Sequence, residues 1–373
     1  NRMREQLSLS DIQYGPFLPF LRKKDVTDID YNGRELWIRD IHNIRHKVTD
    51  EKIRQHLNEE FIQSFATNVA NLVGKNLTPT DNVIEAETEE LRITVIHESV
   101  ASTGTCICIR KTPPVQRITP KKALEEHYCE EKVLHLLANC VKAKLNMVFC
   151  GEPGVGKTEC AKFLTAFIPP EQKVITVEDT KEVHYREINP EKDCVELKVN
   201  EYFSYNDAMT EVLRMTPNRV MLSEARSTEV KQLVECWTTG ITGFTTLHTD
   251  DVRKIPDRIL NMMPSRQDAE RLENDIYVGM DVGVLLETRS SGEEGKQERY
   301  ISQIGFFSRE DGKNRCVLAV QGGQLIEQQE SEFLPEDIKR KMDKAGITDV
   351  FYCEQLQKML EEEGMVYEKN VDD

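Results

Sequence analysis

The sequence predicts an α/β protein in two unequal parts: a mostly parallel sheet with helices on both faces, preceded by a smaller mixed α+β domain. Three observations predict it. From about residue 124, short apolar runs alternate with helix-forming stretches, the pattern of a parallel sheet covered by helices. Before that, strand candidates with turn signals surround one amphipathic helix. Between them, Lys111 to Lys122 holds three prolines, which neither a continuous helix nor a central strand tolerates. The 373 residues suit about two domains, each large enough for its own core. The expected boundaries are 1–111 for the first domain, 112–123 for a basic linker and 124–373 for the larger domain with a helical C-terminal extension.

Element by element, Val26 to Tyr31 reads as a strand closed by the turn dipeptide Asn32-Gly33, with Glu35 to Ile38 as its partner. Phe61, Phe65, Val69 and Leu72 recur at helical spacing, so Glu60 to Val73 is expected to be helical. Strands follow at Leu91 to Ile96 and Thr105 to Arg110. After the linker come a helix over about Leu124 to Val141 and a buried strand at Leu145 to Cys150. Further strands are expected at Lys173 to Val177, Val195 to Val199, Arg219 to Leu222 and Phe244 to Leu247. From about Tyr300, hairpin-like strands give way to two polar helices.

With 65 acidic against 49 basic side chains the formal charge is −16, which argues against a protein whose main task is coating nucleic acid. Hydrophobic residues at 39% describe a folded chain and not a disordered one. No apolar run is long enough for a membrane-spanning helix, and the first residues carry no leader-type apolar stretch. Ten cysteines include no C-x-x-C pair, so zinc spacing is absent and reduced thiols in a cytoplasm are expected. Cys150 and Cys160 bracket the loop described next and read as small apolar fillers before they read as a redox switch.

That loop carries the chemistry. Gly151-Glu152-Pro153-Gly154-Val155-Gly156-Lys157-Thr158 matches G-x-x-x-x-G-K-[ST] completely, between an apolar strand and a helix-forming run that begins with Glu159. Glycines let backbone N–H groups curl around phosphate oxygens, and the following helix N-terminus adds its dipole. In such a loop the lysine, here Lys157, reaches the outer phosphates of ATP, and the Thr158 hydroxyl ligates Mg²⁺. Three later segments end apolar strands with polar groups: Val174 to Asp179 delivers Glu178, Arg219 to Glu224 delivers Glu224, and Thr239 to His248 delivers His248. Strand ends of open α/β sheets line the ligand crevice, so these side chains are candidates for the phosphate site. Taken singly, each is more often a solvated strand end or a structural histidine.

In this order after a P-loop, the segments resemble the secretion ATPases of type II and type IV secretion systems and their pilus relatives. The matching motifs are an Asp box, Thr176-Val177-Glu178-Asp179; a Walker B strand ending Ser223-Glu224-Ala225-Arg226; and a His box, Thr246-Leu247-His248. Leu213-Arg214-Met215-Thr216-Pro217-Asn218-Arg219 is similar to the family's L-R-x-x-P-D-R stretch. Asn82 to Arg110 resembles a two-strand region that supplies an arginine near each end, so the likeness runs from about residue 15 to 310. The type IV secretion and tight-adherence-pilus branch looks most similar. Two positions depart: Ser223 stands where the family has Gly, and Ile241 where its His box has a first histidine.

The resemblance implies a RecA-like P-loop ATPase core, ATP and Mg²⁺ as ligands, and a hexameric ring that docks on an inner-membrane secretion or pilus platform. It implies a cytoplasmic protein, peripheral to the membrane through partners, with no stable nucleic-acid binding. Glu178 would activate the attacking water while Glu224 organises Mg²⁺ with Thr158; the two acids could exchange these roles. His248 would sense the γ-phosphate, and Arg92 and Arg110 would neutralise phosphate charge across a hinge in the linker. Arg214 and Arg226 are weaker candidates, as conformational couplers. Two other readings stay open: a nucleic-acid-translocating motor using the basic Arg110 to Lys122 stretch, and a nucleotide-gated assembly scaffold with weak turnover.

Overall fold

The computed structural model describes residues 11–265, 267–292, 297–326 and 333–364. The chain divides into two compact units, 1–114 with 291–297, and 115–290 with 298–373.

In the first unit six strands, β1 (Val26–Tyr31), β2 (Leu36–Asp40), β3 (Arg45–Lys47), β4 (Val83–Glu87), β5 (Leu91–Ile96) and β6 (Cys106–Lys111), form one sheet in the order β3-β2-β1-β6-β5-β4. Every neighbouring pair is antiparallel. Alternation puts Ile29, Ile84, Ile93, Val95, Ile107 and Ile109 on one face. There they share a core with Phe65 and Val69 of the helix Glu59–Leu72. The region expected to hold two strands holds three, because Val83–Glu87 pairs with β5 as a separate strand.

The second unit is built on nine strands: β7 (Met147–Cys150), β8 (Val174–Glu178), β9 (Cys194–Lys198), β10 (Arg219–Leu222), β11 (Thr242–Leu247), β12 (Val282–Ser290), β13 (Gln297–Glu310), β14 (Lys313–Gln321) and β15 (Gln324–Leu325). Their order is β15-β14-β13-β12-β7-β11-β10-β8-β9. The run from β12 to β9 is parallel, whereas the β13–β14 and β14–β15 pairs are antiparallel, so the sheet is mixed. Helices cover both faces. Leu134 and Phe163, from helices Glu131–Lys142 and Lys157–Leu164, pack with Phe149 and Phe244. Met209 and Leu233, from helices Tyr205–Arg214 and Val230–Thr238, pack with Val148 and Val220.

Two expectations fail locally. The helix expected over Leu124 to Val141 is two helices, Pro120–Glu125 and Glu131–Lys142. His127 adopts φ +52, the Tyr128 N–H donates to Ala123 O and the His127 N–H to Leu124 O. This is a Schellman stop without the usual glycine, so composition gives no sign of it. Pro120, expected in the linker, is the first residue of that helix, and the Thr119 hydroxyl caps it. Strand β12, an apolar run Val282 to Leu286, was not expected at all.

Candidate functional site

The parallel register gathers the candidate residues of the second unit. Leu247 lies opposite Cys150, and Leu222 opposite both Val177 and Thr245, so β7, β8, β10 and β11 end along one edge. The phosphate-loop motif leaves β7 at Gly151, whose φ of +141 excludes an ordinary side chain. A Cβ there would lie 2.3 Å from the Leu286 carbonyl oxygen, so β12 presses directly on the loop. Gly156, at φ +94, turns the chain into the helix Lys157–Leu164. Val155 is buried, whereas Glu152, Pro153 and Gly154 are exposed.

Lys157 is 92% buried, and its ammonium donates to the carbonyls of Gly151 at 3.1 Å and Glu152 at 3.0 Å. Burial holds its pKa below the usual lysine range. It also lies 3.2 Å from His248 Nδ1. His248 Nε2 in turn meets Glu224 Oε1 at 3.0 Å. The other oxygen of Glu224 accepts from Arg226 Nη2 at 2.6 Å, and Arg226 Nη1 donates to Asp179 Oδ2 at 2.8 Å. One polar chain thus joins the loop lysine to the ends of β11, β10 and β8. Arg226, a weaker candidate in the sequence, is a full member; Arg214 is exposed and pairs only with its helical neighbour Glu211 among the described contacts.

Glu178 sits differently from expectation. Only 4% exposed, its Oε1 accepts the N–H groups of Glu182 at 3.2 Å and Val183 at 3.0 Å. Burial, which outweighs these two bonds, pushes its pKa up to about 8. A carboxyl so placed pins the turn after β8. The acid this turn presents is Glu182, whose Oε2 accepts from the Thr158 hydroxyl at 3.4 Å. Sequence reading missed Glu182. Its signal was there, a second glutamate four residues after the first in an acid-bearing strand end.

Both departures have a structural account. Ser223 Oγ is 3.5 Å from the Tyr205 hydroxyl, which also accepts the Asp179 N–H at 3.1 Å, so the serine joins the framework behind the acids. Ile241 precedes β11, whereas His248 follows it. At about 3.3 Å per residue, roughly 20 Å of strand separates that position from the site. Arg92 and Arg110 belong to the first unit, where they face each other across β5 and β6. Arg92 pairs with Glu85 at 3.6 Å and Arg110 with Asp28 at 2.9 Å.

Among the described residues no three His, Cys, Asp or Glu side chains converge as a metal cage. A Mg²⁺ ion in a phosphate site would need only one or two protein oxygens, the rest coming from phosphate and water. The Thr158 hydroxyl and Glu182, 3.4 Å apart, could supply such oxygens.

The mostly parallel sheet with helices on both faces defines the class: a mixed α/β protein of the open-sheet kind. The family described as type II/IV secretion system protein matches residues 34–285, and the chain belongs to it. An uncharacterized protein of Bacillus anthracis is 26% identical over 297 residues, covering 77% of this chain and 66% of that one. Protein VirB11 of Agrobacterium fabrum is 27% identical over 182 residues, covering 46% and 52%. The chain therefore spans less than two thirds of either relative. The ATPase DotB of Legionella pneumophila shares the fold, with a TM-score of 0.55 at 16% identity over 81% of this chain and 82% of that one. No helix among the described residues is long and apolar enough to cross a membrane.

Proposed function

We propose that this chain is an ATPase with a RecA-like core, which converts ATP hydrolysis into domain motion for type IV secretion or pilus assembly. The observation that carries the reading is the polar chain from Lys157 through His248 to Glu224, beside the glycine loop. The Lys157 ammonium donates to the carbonyls of Gly151 and Glu152; a phosphate bound there would offer that ammonium, and the loop N–H groups, a stronger acceptor. Gly151, Glu152, Pro153, Gly154, Val155, Gly156, Lys157, Thr158 and Glu159 form the cradle and the helix start. Thr158 would hold a Mg²⁺ ion directly and Glu224 would hold its water shell; such an ion would supply charge neutralisation at the outer phosphates.

Glu182, in place of Glu178, is the base. Glu182 accepts the proton of a water that attacks the γ-phosphorus, the bond from that phosphorus to the β–γ bridging oxygen breaks, and ADP leaves with the electron pair. Glu178 holds the turn that carries it. Arg92 and Arg110 supply positive charge to the phosphates from the N-terminal domain, with the 112–123 linker as hinge. The working form is a homo-hexamer, cytoplasmic and held at the membrane by a platform protein. Phosphate release tests the core of this reading. Lys157→Ala and Glu182→Gln should lower turnover at least about 100-fold, and Glu178→Gln by less than about 10-fold. Equal losses in the two glutamate variants would return the base to Glu178.

A further inference from the structure

Arg226 lies outside the glycine loop, and its half-exposed side chain does not by itself mark it as a site residue. Its surroundings are nonetheless built. Glu229, 3% exposed, accepts the backbone N–H of Arg226 at 2.7 Å and of Ser227 at 2.8 Å, which fixes the chain just before the helix Val230–Thr238. From that anchor the guanidinium forks between carboxylates on two adjacent parallel strands, Asp179 after β8 and Glu224 after β10. Asp179 is itself tethered, through its N–H to the Tyr205 hydroxyl and through Oδ1 to the Thr180 N–H at 2.7 Å.

Glu224 has two carboxylate oxygens and one of them is held by this fork. The other is consequently aimed at His248, and through it at Lys157. We infer that Arg226 is a positioning residue: it sets the rotamer of Glu224, and thereby the acid–imidazole–ammonium line at the phosphate loop. The inference rests on the ATPase reading. Two facts separate it from a surface ion pair. The fork spans two strands that each deliver site residues, and its far end is a group with a second, directed hydrogen bond. Half-exposed, it adds little to stability, so a purely structural pair predicts no kinetic effect at all. Lysine keeps the charge but lacks the planar two-pronged fork, so it cannot hold the two carboxylates in the geometry the guanidinium fixes.

The test uses the full chain with Arg226→Gln, Arg226→Lys and Asp179→Asn, reading steady-state ATP turnover, affinity for a fluorescent ATP analogue and amide exchange. Misplacing a catalytic acid costs on the order of 10–100-fold, so Arg226→Gln should lower kcat by that factor. Analogue affinity should stay within about threefold, since Arg226 touches neither the loop nor Thr158 among the described contacts. Arg226→Lys should recover part of kcat, and Asp179→Asn should fall between the two. Exchange in 179–183 and 224–229 of the nucleotide-free chain should rise in Arg226→Gln. An unchanged kcat, or equal losses of kcat and affinity, overturns the inference; if Arg226→Gln does not fold, Asp179→Asn decides by the same criteria. A wild-type chain that fails to bind the analogue overturns the nucleotide reading itself. If it binds without turnover, hydrolysis falls and unchanged exchange in the variant overturns the positioning role.

Discussion

Replacing Glu178 with Gln separates its structural role from a catalytic one by pH alone. The side chain is 4% exposed, accepts two backbone N–H groups, and its pKa is pushed up by burial to about 8 from an ordinary carboxyl value near 4.5. At about 1.4 kcal/mol per pH unit, that gap corresponds to about 5 kcal/mol of folding free energy. The sign follows from which form the fold accommodates. The native state favours the protonated acid, so the contribution is complete below about pH 4.5. It is lost progressively as pH rises through about 8. Glutamine keeps the acceptor oxygen and carries no titrating proton. Urea unfolding of the full chain, followed by the fluorescence of buried Trp237, should give wild type and Glu178→Gln similar midpoints at pH 5. At pH 8.5 the variant should be more stable, by up to about 5 kcal/mol. A constant difference between the two proteins from pH 5 to 8.5 would refute the assignment. So would a Glu178→Gln chain that unfolds earlier than wild type at high pH.

Three further perturbations probe other parts of the architecture. Gly151→Ala forces a Cβ into the Leu286 carbonyl and strains a positive φ; a stability loss above about 2 kcal/mol, with weaker binding of an ATP analogue, is expected. Wild-type affinity in that variant would show that β12 can recede from the loop. Lys341→Met leaves the buried Asp281 carboxylate with only the Asn146 N–H among the described contacts, because Lys341 Nζ now holds both carboxylate oxygens at 2.7 and 2.8 Å. The single change should cost about 3 kcal/mol by thermal unfolding, and adding Asp281→Asn should recover much of it. Arg110→Ala should lower ATP turnover at least about 10-fold with little change in melting temperature, since its exposed pair with Asp28 contributes little. Unaltered turnover would overturn the proposed contribution of Arg110 to turnover.

How much of this was legible in the sequence depends on the range of the interactions involved. The phosphate loop needs a local backbone shape, so its glycines announce it, and strand ends carry acids because apolar runs stop there. The helix break at His127 was illegible because αL geometry there is imposed by tertiary packing around Tyr128 and not by a glycine. Glu178 and Glu182 differ in burial, which no spacing encodes: the same strand end sends one glutamate under the turn and the next to Thr158. Strand β12 could have been found, since Val282 to Leu286 is a continuous apolar run of the kind that fills a parallel sheet. Its role as the wall behind Gly151 could not, because a carbonyl's approach to a loop 135 residues away leaves no trace in composition.

The same distinction decides what the two departures from the family pattern mean for turnover. A missing histidine at Ile241 looks like damage when motifs are read as strings. In the sheet it falls before β11, at the end remote from the phosphates, and the side chain simply joins the apolar packing there. Ser223, by contrast, stands beside the acid it precedes, and its hydroxyl meets the tyrosine that tethers Asp179. Asp179 is one prong of the fork that orients Glu224. On the proposed reading the serine therefore acts on Glu224 through three intermediates, Tyr205, Asp179 and Arg226, and its loss should be mild. Ser223→Gly, which restores the family residue, is expected to change kcat less than about threefold, because the Tyr205 hydroxyl still accepts the Asp179 N–H without it. A loss as large as that of Arg226→Gln would place the serine in the catalytic line itself and make Tyr205 its partner there.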